Sequence, residues 1–255
     1  WWQLGVDNDT SFSDFPKLET EIEKLRGYMF RFGQDVSLGI GWPWTKYTTS
    51  EEQPTWEFQQ YSVSPSFTGP EIETYMRMPR RANLSRWILV DPLNRDHYTL
   101  EARTRDLVEQ MIAAKIHGAE GIFIDRPFAD LRGIMTDEGT PGELLLPWRT
   151  TSALLSGAQY LGQIRLPAGS ENRIFETNDG QVIMVLWNRS ATTEKVYLGD
   201  DVELVDVWGR KRVLSQEGHR QVIQVANLPQ FLVGLNPSVA LWRMGGHIQS
   251  TSMRS

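Results

Sequence analysis

Hydrophobic and polar positions divide the chain into two grammars. Over the first ~160 residues, continuous apolar runs alternate with segments of helical period. Trp1–Val6 is apolar and ends in the polar cluster Asp7-Asn8-Asp9, as a strand buried on both faces would read. Asp14 as N-cap and Pro16 as a helix start introduce Leu18, Ile22, Leu25 and Met29 at helical spacing, and Gly33 closes that helix. Asp35–Trp42, a shorter run at Glu57–Val63, Arg86–Asp91 and Ala119–Asp125 supply four more strands. Between the last two, a stripe of Leu100, Leu107, Val108, Met111 and Ile112, capped by Asp96 or Thr99 and closed by Gly118, predicts the best-formed helix. Pro147–Leu161 reads as a further helix. Strands separated by helices imply a parallel sheet with helices on its faces.

From about Gln163 the helical period disappears. The turn Asn178-Asp179-Gly180 precedes the strand Gln181–Asn188. Short strands follow from the pattern at Arg173–Glu176, Glu194–Leu198, Glu203–Trp208, His219–Val225 and Phe231–Leu235. This predicts a small antiparallel β domain of sandwich type. The resulting division is 1–162 (α/β), 163–244 (β) and a flexible polar tail at 245–255. Charge supports the boundary: residues 1–162 carry 16 basic and 23 acidic side chains, residues 163–255 carry 10 and 9.

Composition narrows the classes of function. The net charge is −6 with no dense Lys/Arg cluster, which argues against nucleic acid as a partner. No apolar run reaches the ~18–20 residues of a membrane-spanning helix. With no Cys there are no disulfides, thiolate metal sites or Cys nucleophiles, although this leaves the compartment open. The four His are scattered without ligand spacing, and no phosphate loop or nucleophile elbow occurs, so no metal or cofactor is implied. Asn188-Arg189-Ser190 matches the glycosylation sequon, a pattern common by chance. The Glu51–Gln53 segment reads as a solvated helix end.

In parallel α/β folds the site lies at the carboxyl ends of the strands. Those positions hold Asp7 and Asp9, Trp42 and Trp44, Ser62 and Ser64, Asp91, and Asp125. Acids supply proton transfer or a nucleophile and flat indoles stack on sugar rings, so the set suits a carbohydrate. The structural alternatives are ordinary: Asp after a strand caps a turn or helix, Asp125 pairs with Arg126 or Arg132, and Trp packs in the core. Trp1, Trp87, Trp148 and Trp187 lie in apolar runs and are assigned to the core, whereas Trp42 and Trp44 flank Pro43 in a loop and are candidate stacking platforms.

The order of segments resembles the C-terminal half of a clan A glycoside hydrolase, a (β/α)8 TIM barrel followed by a β-sandwich. WQLGVDND (Trp2–Asp9) is similar to the family's fourth strand, which delivers the acid/base Glu; Asp7 stands at that position. RWILVDP (Arg86–Pro92) resembles the seventh strand, placing Asp91 where the family has its nucleophilic Glu. GIFIDRPF (Gly121–Phe128) resembles the eighth strand, and Gly139–Gly162 the final barrel helix. GQVIMVLWN, VELVDVWGR and NLPQFLVGL resemble strands of the appended sandwich. The family's sixth-strand H-x-Y-P is replaced by Ser62-Val63-Ser64-Pro65.

The resemblance implies an α/β fold holding about strands four to eight of the barrel, and a chain that continues upstream of Trp1 with the rest of it. It implies an oligo- or polysaccharide ligand, neither nucleic acid nor membrane, and a secreted or periplasmic setting. Asp7 and Asp91 become the catalytic pair, with Asp9, Trp42, Trp44 and Asp125 contacting substrate. Replacing Glu by Asp retracts each carboxylate by about 1.5 Å. That moves the pair from the ~5–5.5 Å of retaining enzymes toward the ~6.5–9.5 Å of inverting ones, or toward inactivity. Two alternatives follow: an inactive relative that binds carbohydrate or acts as a scaffold, and an unrelated binding protein holding a hard cation on Asp7, Asp9 and Asp125.

Overall fold

The computed structural model describes residues 1–46, 54–77 and 84–239. The Glu51–Gln53 segment, His247 and the 245–255 tail lie outside them. In chain order the elements are β1 (Trp2–Leu4), a 3-10 turn (Ser11–Asp14), α1 (Leu18–Arg31), β2 (Leu38–Trp42), β3 (Phe58–Tyr61), α2 (Gly69–Met76), β4 (Ser85–Val90), α3 (Leu100–Ile116), β5 (Gly121–Ile124) and α4 (Leu145–Leu155). Then follow β6 (Gln159–Gly162), β7 (Glu171–Glu176), β8 (Val182–Trp187), β9 (Thr192–Val196), β10 (Glu203–Asp206), β11 (Lys211–Val213), β12 (Ser215–Glu217), β13 (Arg220–Val225) and β14 (Gln230–Leu235). The chain forms two compact units: Trp1–His97 with Glu109–Thr140, and Tyr98–Val108 with Pro141 onward.

The first unit is built on a parallel sheet in the order β1-β2-β3-β4-β5, curled as a half-barrel. Register assigns its two faces. Leu4 pairs with Ile40 and Tyr61 with Ile88, so Leu38, Ile40, Trp42 and Ile88 share the face on which Leu18 and Ile22 of α1 pack. Gly39 pairs with Phe58, and Gln60 with Trp87, on the opposite face. There Phe58 and Trp87 stack at 3.8 Å, with Trp1 at 5.4–5.6 Å from both and Phe123 at 5.1 Å from Trp87. A Cβ on Gly39 would lie 2.3 Å from the Phe58 ring, so β2 leaves room for that ring only because it has no side chain there. Trp1, just before β1, is 66% exposed rather than in the core, and Trp87 on β4 is half-buried.

The second unit holds two antiparallel sheets, β11-β10-β14-β8-β7-β6 and β12-β13-β9. One core serves both, with Ile174, Met184, Leu204 and Leu232 from the first sheet meeting Ile223 and Val225 from the second. The Asn178-Asp179-Gly180 turn joins β7 to β8 as the sequence predicts, with Gly180 at φ +81.

Three local expectations are corrected. Asp14 does not cap α1; it sits in the 3-10 turn and pairs with Lys46 at 2.7 Å, while α1 starts after Lys17 in a left-handed conformation. The helix expected over Pro147–Leu161 stops at Leu155, because Ser156 is extended and Gly157 has φ +67, and Gln159–Gly162 turns into a strand against β7. The sequence pattern leaves Gly69–Met76 unassigned, yet it is a helix with a complete Thr68/Glu71 capping box and Pro70 in its first turn. For α3 the alternative Thr99 is the cap, its hydroxyl accepting the Ala102 amide at 3.2 Å. Among the described residues no helix is long and apolar enough to cross a membrane.

One glycine fixes where the loop after β1 runs. A Cβ on Gly41 would lie 2.0 Å from the Asp9 carbonyl oxygen, a backbone atom that cannot swing away. Gly41→Ala is therefore expected to push the Asp7–Thr10 loop off β2 and to destabilise the chain by about 1–3 kcal/mol, the range of overpacked sites. Urea unfolding of the variant checks this; an unchanged midpoint would mean that the loop does not rest on β2.

Candidate functional site

The carboxyl ends of the strands bring together residues far apart in sequence. Beyond β1 the chain turns at Gly5 (φ +85) and again at Asn8 (φ +68), a left-handed conformation that Asn tolerates better than most residues. In that pose the Asn8 carboxamide spans two other strand ends. Its Oδ1 accepts the Val63 amide at 2.8 Å just after β3, and its Nδ2 donates to Asp125 Oδ1 at 2.9 Å just after β5. Asn8 thus ties three loops with one side chain. In sequence Asn8 is only the middle of the polar cluster Asp7-Asn8-Asp9, with no local signal of its distant partners.

Asp125 is 2% exposed. Its second oxygen accepts Arg126 Nε at 3.1 Å, and Arg126 is itself left-handed at φ +45. Asp91, one strand over, is 7% exposed, and its Oδ2 is held by Arg132 Nη1. Its Oδ1 is buried and accepts no hydrogen bond from any of the described residues. Burial raises the Asp91 carboxyl above its ordinary value of 3.8; the Arg132 guanidinium works against this, and the nearby Asp125 charge adds to it. Arg132 therefore serves Asp91 rather than Asp125. Two carboxylates and two guanidiniums make one cluster at the ends of β4 and β5.

Asp91 also lines a small recess together with Trp44, Ser62, Val63, Phe67, Leu89 and Gln110. Its wall is fixed by the Trp44 indole, which donates to the Ser62 carbonyl at 2.7 Å and packs among Tyr61, Phe67 and Tyr75. Trp44 is 5% exposed and Trp42 4%. Trp42 donates to the Lys46 carbonyl at 2.9 Å, packs near Trp56, and carries the Lys46 ammonium 5.3 Å from its ring centroid. Neither indole offers an open face to a sugar ring. Pro43 between them suggested an exposed loop, but aromatic partners up to Tyr75 close over it.

Asp9 is engaged locally. It accepts the Ser11 hydroxyl at 2.6 Å and the Ser11 amide at 3.0 Å, and these bonds, the hydroxyl first, hold its carboxyl below the ordinary value. Asp7 is exposed beyond the end of β1. Among the described residues no three or more His, Asp or Glu gather as a metal would require.

No protein-family model and no curated protein sequence matches the chain. Solved structures do. The family 39 glycoside hydrolase from the gut symbiont Bacteroides cellulosilyticus WH2 aligns with 78% of this chain and 44% of its own, at 16% identity and a TM-score of 0.53. The catalytic domain of GH30 xylanase C from Talaromyces cellulolyticus covers 84% of this chain and 55% of that one, at 10% identity and a TM-score of 0.55. SrfJ from Salmonella typhimurium covers 83% and 50%, at 10% identity and a TM-score of 0.52. The chain thus spans about half the length of the solved chains it matches. At such identities the likeness is one of fold, and the fold is the clan A glycoside-hydrolase-like one that the sequence resembles.

Proposed function

We propose that the chain carries the carboxylate rim of a carbohydrate-active, glycoside-hydrolase-like protein, with Asp7 and Asp91 as its reacting pair. The observation that supports this is the state of Asp91. It sits at the carboxyl end of a buried parallel strand, with one oxygen gripped by Arg132 and the other without a partner among the described residues. A buried acceptor left unmade is costly to a fold, so its retention points to a hydroxyl or water that it meets during function. In this reading Asp91 acts as nucleophile or base, and the solvated Asp7 exchanges the proton. Asp125, Asn8 and Arg132 hold Asp91 and its surroundings in position.

One observation favours a second reading, an inactive relative that binds carbohydrate without cleaving it. Arg132 binds Asp91 Oδ2, and a carboxylate held by a guanidinium is a weaker base and nucleophile. The two readings part in one experiment: glycan-array binding run beside a hydrolysis screen for the full chain, Asp7→Asn and Asp91→Asn. The enzyme reading expects hydrolysis to fall about 10²–10⁴-fold in either variant, the size of a lost acid, base or nucleophile, while binding persists. Binding in all three forms with hydrolysis in none establishes the inactive relative. Absence of both activities removes the carbohydrate reading.

The charge state of Asp91 is testable without turnover. Its carboxyl, followed by carbon NMR, should titrate above 3.8. Arg132→Ala should move the midpoint further up, because a cation that favours the ionised form is gone; Asp125→Asn should move it down. Between 3.8 and the raised midpoint the folded chain keeps a proton that the unfolded chain has released, so this group makes stability fall as pH rises through that window. A midpoint at or below 3.8 would contradict the burial of Asp91.

A further inference from the structure

The two arginines beside the carboxylates are more than counter-ions. The ion pair of Arg126 with Asp125 lies on a side chain that is 70% exposed, and pairs so open to water add little to stability. Yet Arg126 is held at φ +45, a conformation unfavourable for any residue with a Cβ. The loop that imposes it is closed by its own backbone hydrogen bonds. The Pro127 carbonyl accepts the amides of both Ile134 and Met135 at 2.9 Å, and the Ala129 carbonyl accepts that of Gly133 at 2.6 Å. A Cβ on Gly133 would lie 2.5–2.6 Å from those same two oxygens, so the loop closes only around glycine. This one loop carries both Arg126, bonded to Asp125, and Arg132, bonded to the neighbouring Asp91.

Each guanidinium spends one N–H on an aspartate: Arg126 its Nε on Asp125, and Arg132 one Nη on Asp91. Among the described residues the remaining donors of both have no protein partner. The Arg126 fork, with both Nη atoms unspent, therefore stands at the rim with the geometry that takes two oxygens of an oxyanion at once. The net charge of −6 does not oppose this. Beyond a Debye length of about 8 Å at physiological salt the distant acids are screened, and nearby the two guanidiniums balance Asp91 and Asp125, so the unspent donors of the fork rather than a net positive field take the oxyanion.

We propose that Arg126 and Arg132 form an anion-recognition site beside Asp91 and Asp125, which takes the carboxylate or sulfate of an acidic sugar. This rests on the carbohydrate reading above and names the class of sugar. The test is calorimetric titration of the full chain with three sets of oligosaccharides of equal length: neutral xylo- and cello-oligosaccharides, oligogalacturonates, and sulfated galacto-oligosaccharides. One anionic set is expected to bind about tenfold or more tighter than the neutral set, the worth of one charge-assisted contact, and which set does so identifies the oxyanion. Arg126→Ala should reduce that preference to within about twofold. Arg126→Lys should not restore it, because a point charge lacks the fork; circular dichroism confirms that both variants are folded. Tight binding of neutral sugars without an anionic preference, or a preference that Arg126→Ala leaves intact, overturns the anion site and leaves the carbohydrate reading standing. If no set binds, both fall.

Discussion

Two buried carboxylates at neighbouring strand ends set the terms for the first unit. An ionised group taken out of water costs several kcal/mol unless charge and hydrogen bonds replace its hydration. Asp125 is fully provided for, with Asn8 on one oxygen and Arg126 on the other. Asp91 is provided for on one side only. The loops after β1 and β5 follow from this requirement, because the first must bring an amide and the second two guanidiniums to the same place. A rim built this way is held by directional bonds rather than by apolar packing, so its residues are individually consequential.

Glycine makes that convergence possible in the chain's own backbone. Gly41 lets the Asp9 carbonyl lie against β2, and Gly133 lets the arginine loop close on the carbonyls of Pro127 and Ala129. Neither has a positive φ; each is needed for space and not for torsional freedom. The contact at Gly41 holds the loop of Asn8 against the sheet, and the contacts at Gly133 close the loop of Arg126 and Arg132 on itself.

Much of the architecture was legible in the sequence because parallel strands are buried on both faces and read as unbroken apolar runs, as at Arg86–Asp91. Helices α1 and α3 show their period plainly. Helix α2 did not, since eight residues hold only two turns of period, and its evidence lay in the Thr68, Pro70 and Glu71 chemistry instead. Of the site, Asp91 and Asp125 were legible from their place after a strand. Asn8 was not: its two partners lie 55 and 117 residues away, and no local pattern encodes them. Trp42 and Trp44 were misjudged as open faces for the same reason, their coverage coming from Lys46, Trp56, Phe67 and Tyr75.

The aromatic row across the sheet has an optical consequence. Trp1 and Trp87 lie 5.4 Å apart, with Trp1 largely in water and Trp87 stacked on Phe58. Within this pair, two of the chain's ten tryptophans, Trp1 is the indole more exposed to water. Any strand, ligand or partner that settles over this face dries Trp1 and moves the emission to the blue. The sheet thus carries a built-in fluorophore on its open face, one that reports coverage without a label.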